Sequence, residues 1–456
     1  MTTALGAILT TQGMSRCFTF TADPTVNDDT GDGYVIGDVW LNTTNDSVWQ
    51  VLDVTAGAAV WKQLDGSGSG SIAAYEDGAS VVASADKFDF KDTNIEDGGS
   101  NDVHVYMDMP DLCQGRLTLT TAVPVTTSDV TGATTVYFTP YNGDWISLYD
   151  GTRWKRFRFT EKSLSLASHI KGVCYDIFLY DNAGTLTLES LAWKKVAASN
   201  SPTAGANKTI NLADTATLAV GMEVTVKDGT NSEVTNITAV VASTSITVDN
   251  LANGYTTPDV YGYQARATAL VDQNGVKVKS GATTRRFLGT LRINRTNTGQ
   301  CEDTDKERFC VNYYNRIRKQ LIAGDTSDTW TYASATVRAA NASVVYGVAR
   351  VGIVIPLQDY FVEICNLQSY AGSAAANVTI GIGLDTTTTN VAKTLASTVA
   401  ASGRTVGEGL YAAHPSIGNH YLQCLEATSA GTLTFLGDAA LATGLFQTGF
   451  SGVVEC

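Results

Sequence analysis

A catalytic or metal-binding centre in this chain would have to come from a short supply of chemically useful residues. Only 4 histidines are present, His104, His169, His414 and His420, which leaves little for a histidine-based triad or a zinc site. The nearest pair, His414 and His420, stands in YAAHPSIGNHYLQCLE with Cys424 and Glu426 close behind. A metal site there requires residues at loop spacing to converge; the plain alternative is a loop followed by a strand. Paired carboxylates, which cut polysaccharides, leave no spacing signature because the fold brings them together. The densest local set is Glu302, Asp303, Asp305 and Glu307, which also reads as a solvated loop. The segment NDDTGDG, Asn27 to Gly33, has the alternating oxygen side chains of a calcium loop. Counted from Asp28, however, Thr30 falls at the third position and Val39 at the twelfth, where a bidentate glutamate is needed. A polar turn is the better reading. The sequence contains no P-loop, no GxSxG elbow and no GxGxxG after a strand, so nucleotide chemistry and serine hydrolysis have no support. The expectation is a protein that is not an enzyme and holds neither metal nor cofactor.

The 8 cysteines carry a second kind of chemistry. None of their spacings is a CxxC zinc signature. Cys301 and Cys310 flank the polar segment EDTDKERF, so a hairpin through that segment could bring them together as a disulfide. Free, part-buried thiols are the alternative, since cysteine packs as a small hydrophobe.

The elements that would position these residues read as strands. Val136 and Phe138, then Ile146 and Leu148, alternate with polar neighbours, and the Gly-centred turns YNGD and YDGT separate the runs. In RWKRFRF, Trp154, Phe157 and Phe159 are candidate core anchors, with the basic residues on a solvated face. The same period recurs at Val224 and Val226 and at Ile246 and Val248, with KDGT as a hairpin turn. From Phe309 to Ile317 a strand is the first reading and a helix the alternative. Near the N-terminus, Trp40, Trp49 and Trp61 each sit in a short strand-like run. A unit of about 40 residues has little core of its own, so these three tryptophans are candidates for packing between copies about an axis.

The expected fold is all-β: small β modules in series, an antiparallel meander or sandwich interrupted by an inserted domain, and a C-terminal jelly-roll-like sandwich. Residues 1–64 form the tryptophan-containing unit, 65–71 (DGSGSGS) a linker and 72–112 a second small unit, in which His104 is a solvent-facing strand residue. A central module is split between 113–195 and 265–332, around an insertion at 196–264, and 333–456 is the final sandwich. Insertion at a surface turn is thermodynamically mild, because loop closure grows slowly with length.

The strings RLTLTTAVPVTTSDVTGATTVYFTPY, LYDGTRW, YDIFLYDNAGTLTLESLAW and DQNGVKVKSGATTRRFLGT, between Arg116 and Arg318, resemble a module of virion appendage proteins of tailed bacteriophages, the head, neck or tail fibres. The unit opening DPTVNDD is similar to tandem units of phage fibres, and the closing stretch from His420 resembles the last strands of fibre head domains. The resemblance implies a structural virion role, typically as a homotrimer, with other virion proteins as partners. Such a protein is made and assembled in the host cytoplasm. A host-surface-binding or polysaccharide-cleaving spike, with host surface glycan as its partner, is one alternative; a capsid decoration protein is another.

Composition agrees with the class. Glycine is abundant at 42 against 8 prolines, and charged residues make up 17%, which favours strands and turns over long amphipathic helices. The formal net charge of -14 disfavours an extended nucleic-acid surface, which needs clustered Lys and Arg. No apolar run approaches the length that spans a bilayer, and MTTALGAILTTQGM lacks the basic start of a signal peptide. Neither nucleic acid nor membrane insertion is expected.

Overall fold

Alternating strands dominate the computed structural model, which describes residues 16–64, 109–394, 397–439 and 445–456 and the backbone of four short strands between 74 and 106. Apart from two single-turn 3-10 segments, Thr30–Asp32 and Ala340–Ala342, every regular element among the described residues is a strand, and the protein is an all-β sandwich. No helix among the described residues is long and apolar enough to cross a membrane. The Gly/Ser linker at 65–71 and the side chains of the following small unit, His104 included, lie outside the described residues. The chain divides into two compact units, residues 1–92 and 93–456.

In the first unit four strands, Cys17–Phe20, Val39–Asn42, Ser47–Asp53 and Val60–Gln63, lie in chain order in one sheet. The first pair is parallel and the others antiparallel. An aromatic cluster forms the core: Phe20 stacks on Trp40 at 3.8 Å between centroids, and Trp61 meets Trp40 edge-on at 5.5 Å and Tyr34 at 5.3 Å. Each indole N–H is satisfied inside the unit, Trp40 donating to the Ala22 carbonyl, Trp61 to that of Asp28 and Trp49 to the Ser47 hydroxyl. Trp40 is buried within its own unit, while Trp49 and Trp61 are half-buried. Clustered rings cover one another efficiently, because edge-to-face and offset contacts bury area on both partners. The NDDTGDG segment is a turn whose carboxylates serve the backbone. Asp28 accepts from the Thr25 N–H, and Asp29 accepts from the N–H groups of Gly31 and Gly57, with Gly33 at a φ of 85° closing the turn.

In the second unit, Cys174–Asn182 pairs with Thr185–Ala192 on one side and with Ala282–Arg292 on the other. The chain therefore leaves this sheet and returns to it. Between the two, residues 195–261 build a separate six-stranded sheet around Ile210, Val224, Val226, Ile246, Val248 and Val260, all fully buried. The odd-even alternation of these residues in sequence is what places them on one face.

Two larger sheets complete the unit. The seven-stranded sheet is centred on Val362–Gly372, flanked by Thr448–Glu455 and Arg404–Ala413. The eight-stranded sheet is centred on Gly418–Thr428, flanked by Arg350–Ile355 and Ala376–Leu384. They approach closely where one has glycines: a Cβ on Gly407 would lie 2.5 Å from Ile380 of the facing sheet, so a side chain there would push the layers apart. The division drawn at 332/333 does not separate two cores. Arg318–Gly324 pairs with Thr448–Glu455, and Val130–Ala133 and Cys301–Asp303 extend the eight-stranded sheet. One hydrophobic cluster runs from Cys113 to Cys456. In the Phe309–Ile317 stretch the residues Cys310–Asn312 are a strand.

Candidate functional site

The two histidines of the C-terminal region do not meet. His414 is exposed, with Nδ1 at 3.1 Å from the Tyr360 carbonyl and its ring beside Phe361. His420 is buried on the Gly418–Thr428 strand, with Nδ1 at 2.6 Å from Asp385 Oδ2 and Nε2 at 2.8 Å from the Ser416 carbonyl. Six residues of extended chain, about 20 Å, separate His420 from Glu426 on that strand, so the two cannot share a metal with Cys424. Glu426 is instead clamped by the Trp330 indole N–H and by Arg338, each at 2.8 Å. Among the described residues no group of three or more His, Cys, Asp or Glu is placed to hold a metal ion.

Ser416, His420 and Asp385 are the residue types of a hydrolytic triad, but their geometry is wrong for one. The serine offers His420 its carbonyl, while its hydroxyl donates to Gln264 Oε1 at 3.2 Å. The imidazole has both nitrogens engaged by oxygen acceptors and is 1% exposed. It can neither take a proton from a nucleophile nor touch a substrate.

The acidic cluster is not a solvated loop. Glu302 and Asp303 are buried in the Cys301–Asp303 strand, and each carboxylate has its own partner pointing a different way. Glu302 accepts from Asn294 Nδ2 at 2.7 Å, and burial pushes its carboxyl above the usual range against the pull of Arg295 and Arg292. Asp303 lies between Arg308 and Lys319, and Glu307 pairs with Arg295. Asp305 stands apart beside Asp129, whose carboxylate accepts its backbone N–H at 2.8 Å; burial first, then the Asp129 charge, raise its carboxyl. Asp303 and Glu307 are in structural ion pairs, and no two of the four carboxyl groups face a common bond.

The expected Cys301–Cys310 disulfide is also corrected: all 8 cysteines are free thiols. The hairpin pairs Asp303 with Arg308, and beyond that rung its strands part to different neighbours. Cys301 lies against Ala133 and Ile293, its Sγ directed at the Arg292 carbonyl at 3.2 Å, whereas Cys310 pairs with Leu291. Burial pushes the Cys301 thiol well above its usual range and that of Cys310 up to about 12. With iodoacetamide at neutral pH, exposed Cys17 is expected to react first and half-buried Cys365 slowly. The six buried thiols should react only after unfolding. Peptide mapping of the native, non-reduced protein reads this directly; recovery of a 301–310 bridged peptide would contradict it.

The residues that sequence reasoning passed over are charges inside otherwise apolar strands. Glu223, at the foot of the insertion, is 5% exposed and binds Arg292 at 2.8 Å and the Tyr346 hydroxyl at 3.0 Å, with Arg295 at 3.9 Å. Arg292 belongs to the central sheet and Tyr346 to the C-terminal region, so one carboxylate joins three parts of the chain. Burial raises the Glu223 carboxyl, but the charges of Arg292, Arg295 and Arg350 and the Tyr346 hydrogen bond outweigh it and leave it below the usual range. A second node is Asp176, which accepts from Arg266 at 2.6 Å, Thr290 Oγ1 at 2.7 Å and Trp193 Nε1 at 2.9 Å. Arg266 also donates to the Pro356 carbonyl at 2.7 Å and lies over the Trp193 ring. The available signal was an isolated charge in a buried run, as in VCYDIFLY, GMEVTV and GTLRI, since such residues are buried only when paired.

No family model and no curated protein matches the chain. Among solved structures, an insecticidal delta-endotoxin from Bacillus thuringiensis aligns at 8% identity and a TM-score of 0.18, over 72% of this chain. The chain spans about half, 50%, of the length of that endotoxin. A structure of infectious bursal disease virus, Gx strain, aligns at 11% identity and a TM-score of 0.13, over 73% of this chain and 81% of that one. An exo-beta-1,3-galactanase from Phanerochaete chrysosporium aligns at 9% identity and a TM-score of 0.10, over 92% and 81%. TM-scores this low identify no shared fold, and the three likenesses carry no argument about function.

Proposed function

We propose that the chain is a non-enzymatic structural component of a tailed-bacteriophage virion, a trimeric fibre or appendage joined to head, neck or tail. Its N-terminal region makes the attachment and its C-terminal sandwich faces outward. The observation that carries this reading is how the chain uses its chemically capable residues. Glu223, Asp176, Asp303, Glu426 and His420 all face partners inside the fold and hold its parts together. A protein whose task is mechanical gains from such cross-links, whereas a catalyst needs at least one of these groups open to substrate. The phage-appendage resemblance between Arg116 and Arg318 supports the same role. The trimer rests on the small N-terminal unit, whose open apolar surface is aliphatic: Val35, Ile36, Leu52 and Val60 are 53%, 68%, 48% and 50% exposed. Contact between copies is one way to cover such residues.

Mass photometry of the purified chain is expected to give a mass three times 48.3 kDa. Monomer alone, across concentrations and with thiols reduced or oxidised, would remove the trimer. Turnover of host surface polysaccharide would replace the structural reading by that of a cleaving spike. Imaging of phage particles labelled on this protein would place it on head, neck or tail.

A further inference from the structure

We infer that His420 and Asp385 form a protonated latch that fastens the exit and the middle of the 196–264 insertion to the sandwich and releases them as pH rises. The argument begins with counting hydrogens. His420 Nδ1 faces Asp385 Oδ2 at 2.6 Å and Nε2 faces the Ser416 carbonyl at 2.8 Å. Both partners are acceptors, and a neutral imidazole has one N–H to give. At 1% exposure no solvent can relieve the mismatch. With Asp385 ionised, only the imidazolium, with two N–H groups, satisfies both contacts.

The pair holds the insertion at two places. At its exit, the Gln264 side-chain amide donates to Asp385 Oδ2 at 3.5 Å, while Gln264 Oε1 accepts from the Ser416 hydroxyl. Near its middle, the Gly221 carbonyl accepts from the Tyr421 hydroxyl at 3.1 Å. A Cβ on Gly221 would lie 2.0 Å from the Asp385 carbonyl, so the turn carrying the carboxylate rests directly on the insertion. Asp385 has a φ of 55° and its other oxygen accepts the Tyr421 N–H at 3.0 Å. The position of that turn therefore follows from its bonds to the His420 strand.

Asp385 is the charged group facing the imidazole; Gln264 from the insertion, Ser416 from the preceding turn and Ile353 across the neighbouring strand are neutral. The nearest other titratable groups, Tyr411 and Tyr421, both feel the Asp385 charge, and burial pushes them up, Tyr421 to about 12. Burial by itself would lower the imidazole, but the Asp385 charge, the hydrogen bond to it and the Ser416 carbonyl outweigh burial and leave His420 above its ordinary 6.5. The folded value being the higher one, the stabilisation is complete below about 6.5 and lost as pH rises through the folded value. Proton loss leaves the half-buried Asp385 carboxylate without its counter-charge, and the turn beneath Gly221 loosens. The Glu223 network is untouched, so the opening is local.

Two measurements on the full chain test this. In long-range nitrogen–proton NMR of histidine-labelled protein, one ring is expected to keep protons on both nitrogens above the ordinary 6.5 of an imidazole; that signal should vanish in His420→Gln. His169, which burial lowers, gives the contrasting signal. Hydrogen exchange of wild type, corrected for intrinsic rate, should rise about tenfold between pH 7 and 9.5 in peptides spanning 219–222, 262–266 and 383–388, with the Val224–Val248 core unchanged. A His420 that titrates at or below 6.5, or exchange in those peptides independent of pH, overturns the latch. The wild-type measurements decide the matter even if His420→Gln fails to fold.

Discussion

Glu223→Ala is expected to lower the unfolding free energy of the 93–456 unit by about 3–5 kcal/mol, the cost of removing one partner from a buried ion pair. The loss is large because of what remains. Arg292 is 1% exposed, its Nη1 already has no partner, and its other terminal nitrogen would lose its only carboxylate. The Tyr346 hydroxyl loses its acceptor as well. Replacing both ions, as in the pair Glu223→Leu with Arg292→Leu, should recover much of the loss, because apolar side chains remove the desolvation penalty along with the attraction. The carboxyl of Glu223 is held below its ordinary 4.5 in the folded chain. Its contribution is therefore present above about pH 4.5 and lost as pH falls through the lower folded value. Urea unfolding of wild type, single and double variants at pH 7 and at pH 3 reads all of this. A single-variant cost below about 1 kcal/mol, the range of exposed pairs, would mean that the node is wetter and looser than described.

The second large effect is expected at Asp176. Asp176→Ala leaves the Arg266 guanidinium, the Trp193 indole N–H and the Thr290 hydroxyl without their shared acceptor, all within a buried sheet. A cost of about 3–5 kcal/mol follows from the uncompensated charge. Asp176→Asn keeps one acceptor oxygen and the shape, and should cost less. The two nodes are neighbours, since Cys174 pairs with Arg292 and Asp176 with Thr290, two rungs apart on one ladder. Their effects should not add: a double-mutant cycle between Glu223→Ala and Asp176→Ala is expected to give a coupling of about 0.5–3 kcal/mol. Strict additivity would show that the nodes act independently despite their adjacency.

Strand identity was legible in the sequence because it depends on neighbours two residues apart. Val136, Phe138, Ile146 and Leu148 alternate in sequence, and all four are buried, as are Trp154 and Phe159. A period of two leaves no other way to put those side chains on one side of an extended chain. The all-β class followed from that local rule, and so did the hairpin whose first rung joins Lys227 to Ser232. Proximity in sequence misled where it was taken for proximity in space. Cys301 and Cys310 stay unbridged on strands that find different ladder partners, Ala133 and Leu291, and His420, Cys424 and Glu426 are drawn apart by the extension of the strand that carries them.

The charge networks were decided by tertiary structure alone. Glu223 and Arg292 are 69 residues apart, Asp176 and Arg266 are 90 apart, and Gln264 reaches His420 across 156. Whether a buried charge is tolerated depends on a counter-charge that only folding delivers. Local pattern therefore determined which residues face inward, and long-range topology determined which inward-facing charges could remain ionised and what they fasten.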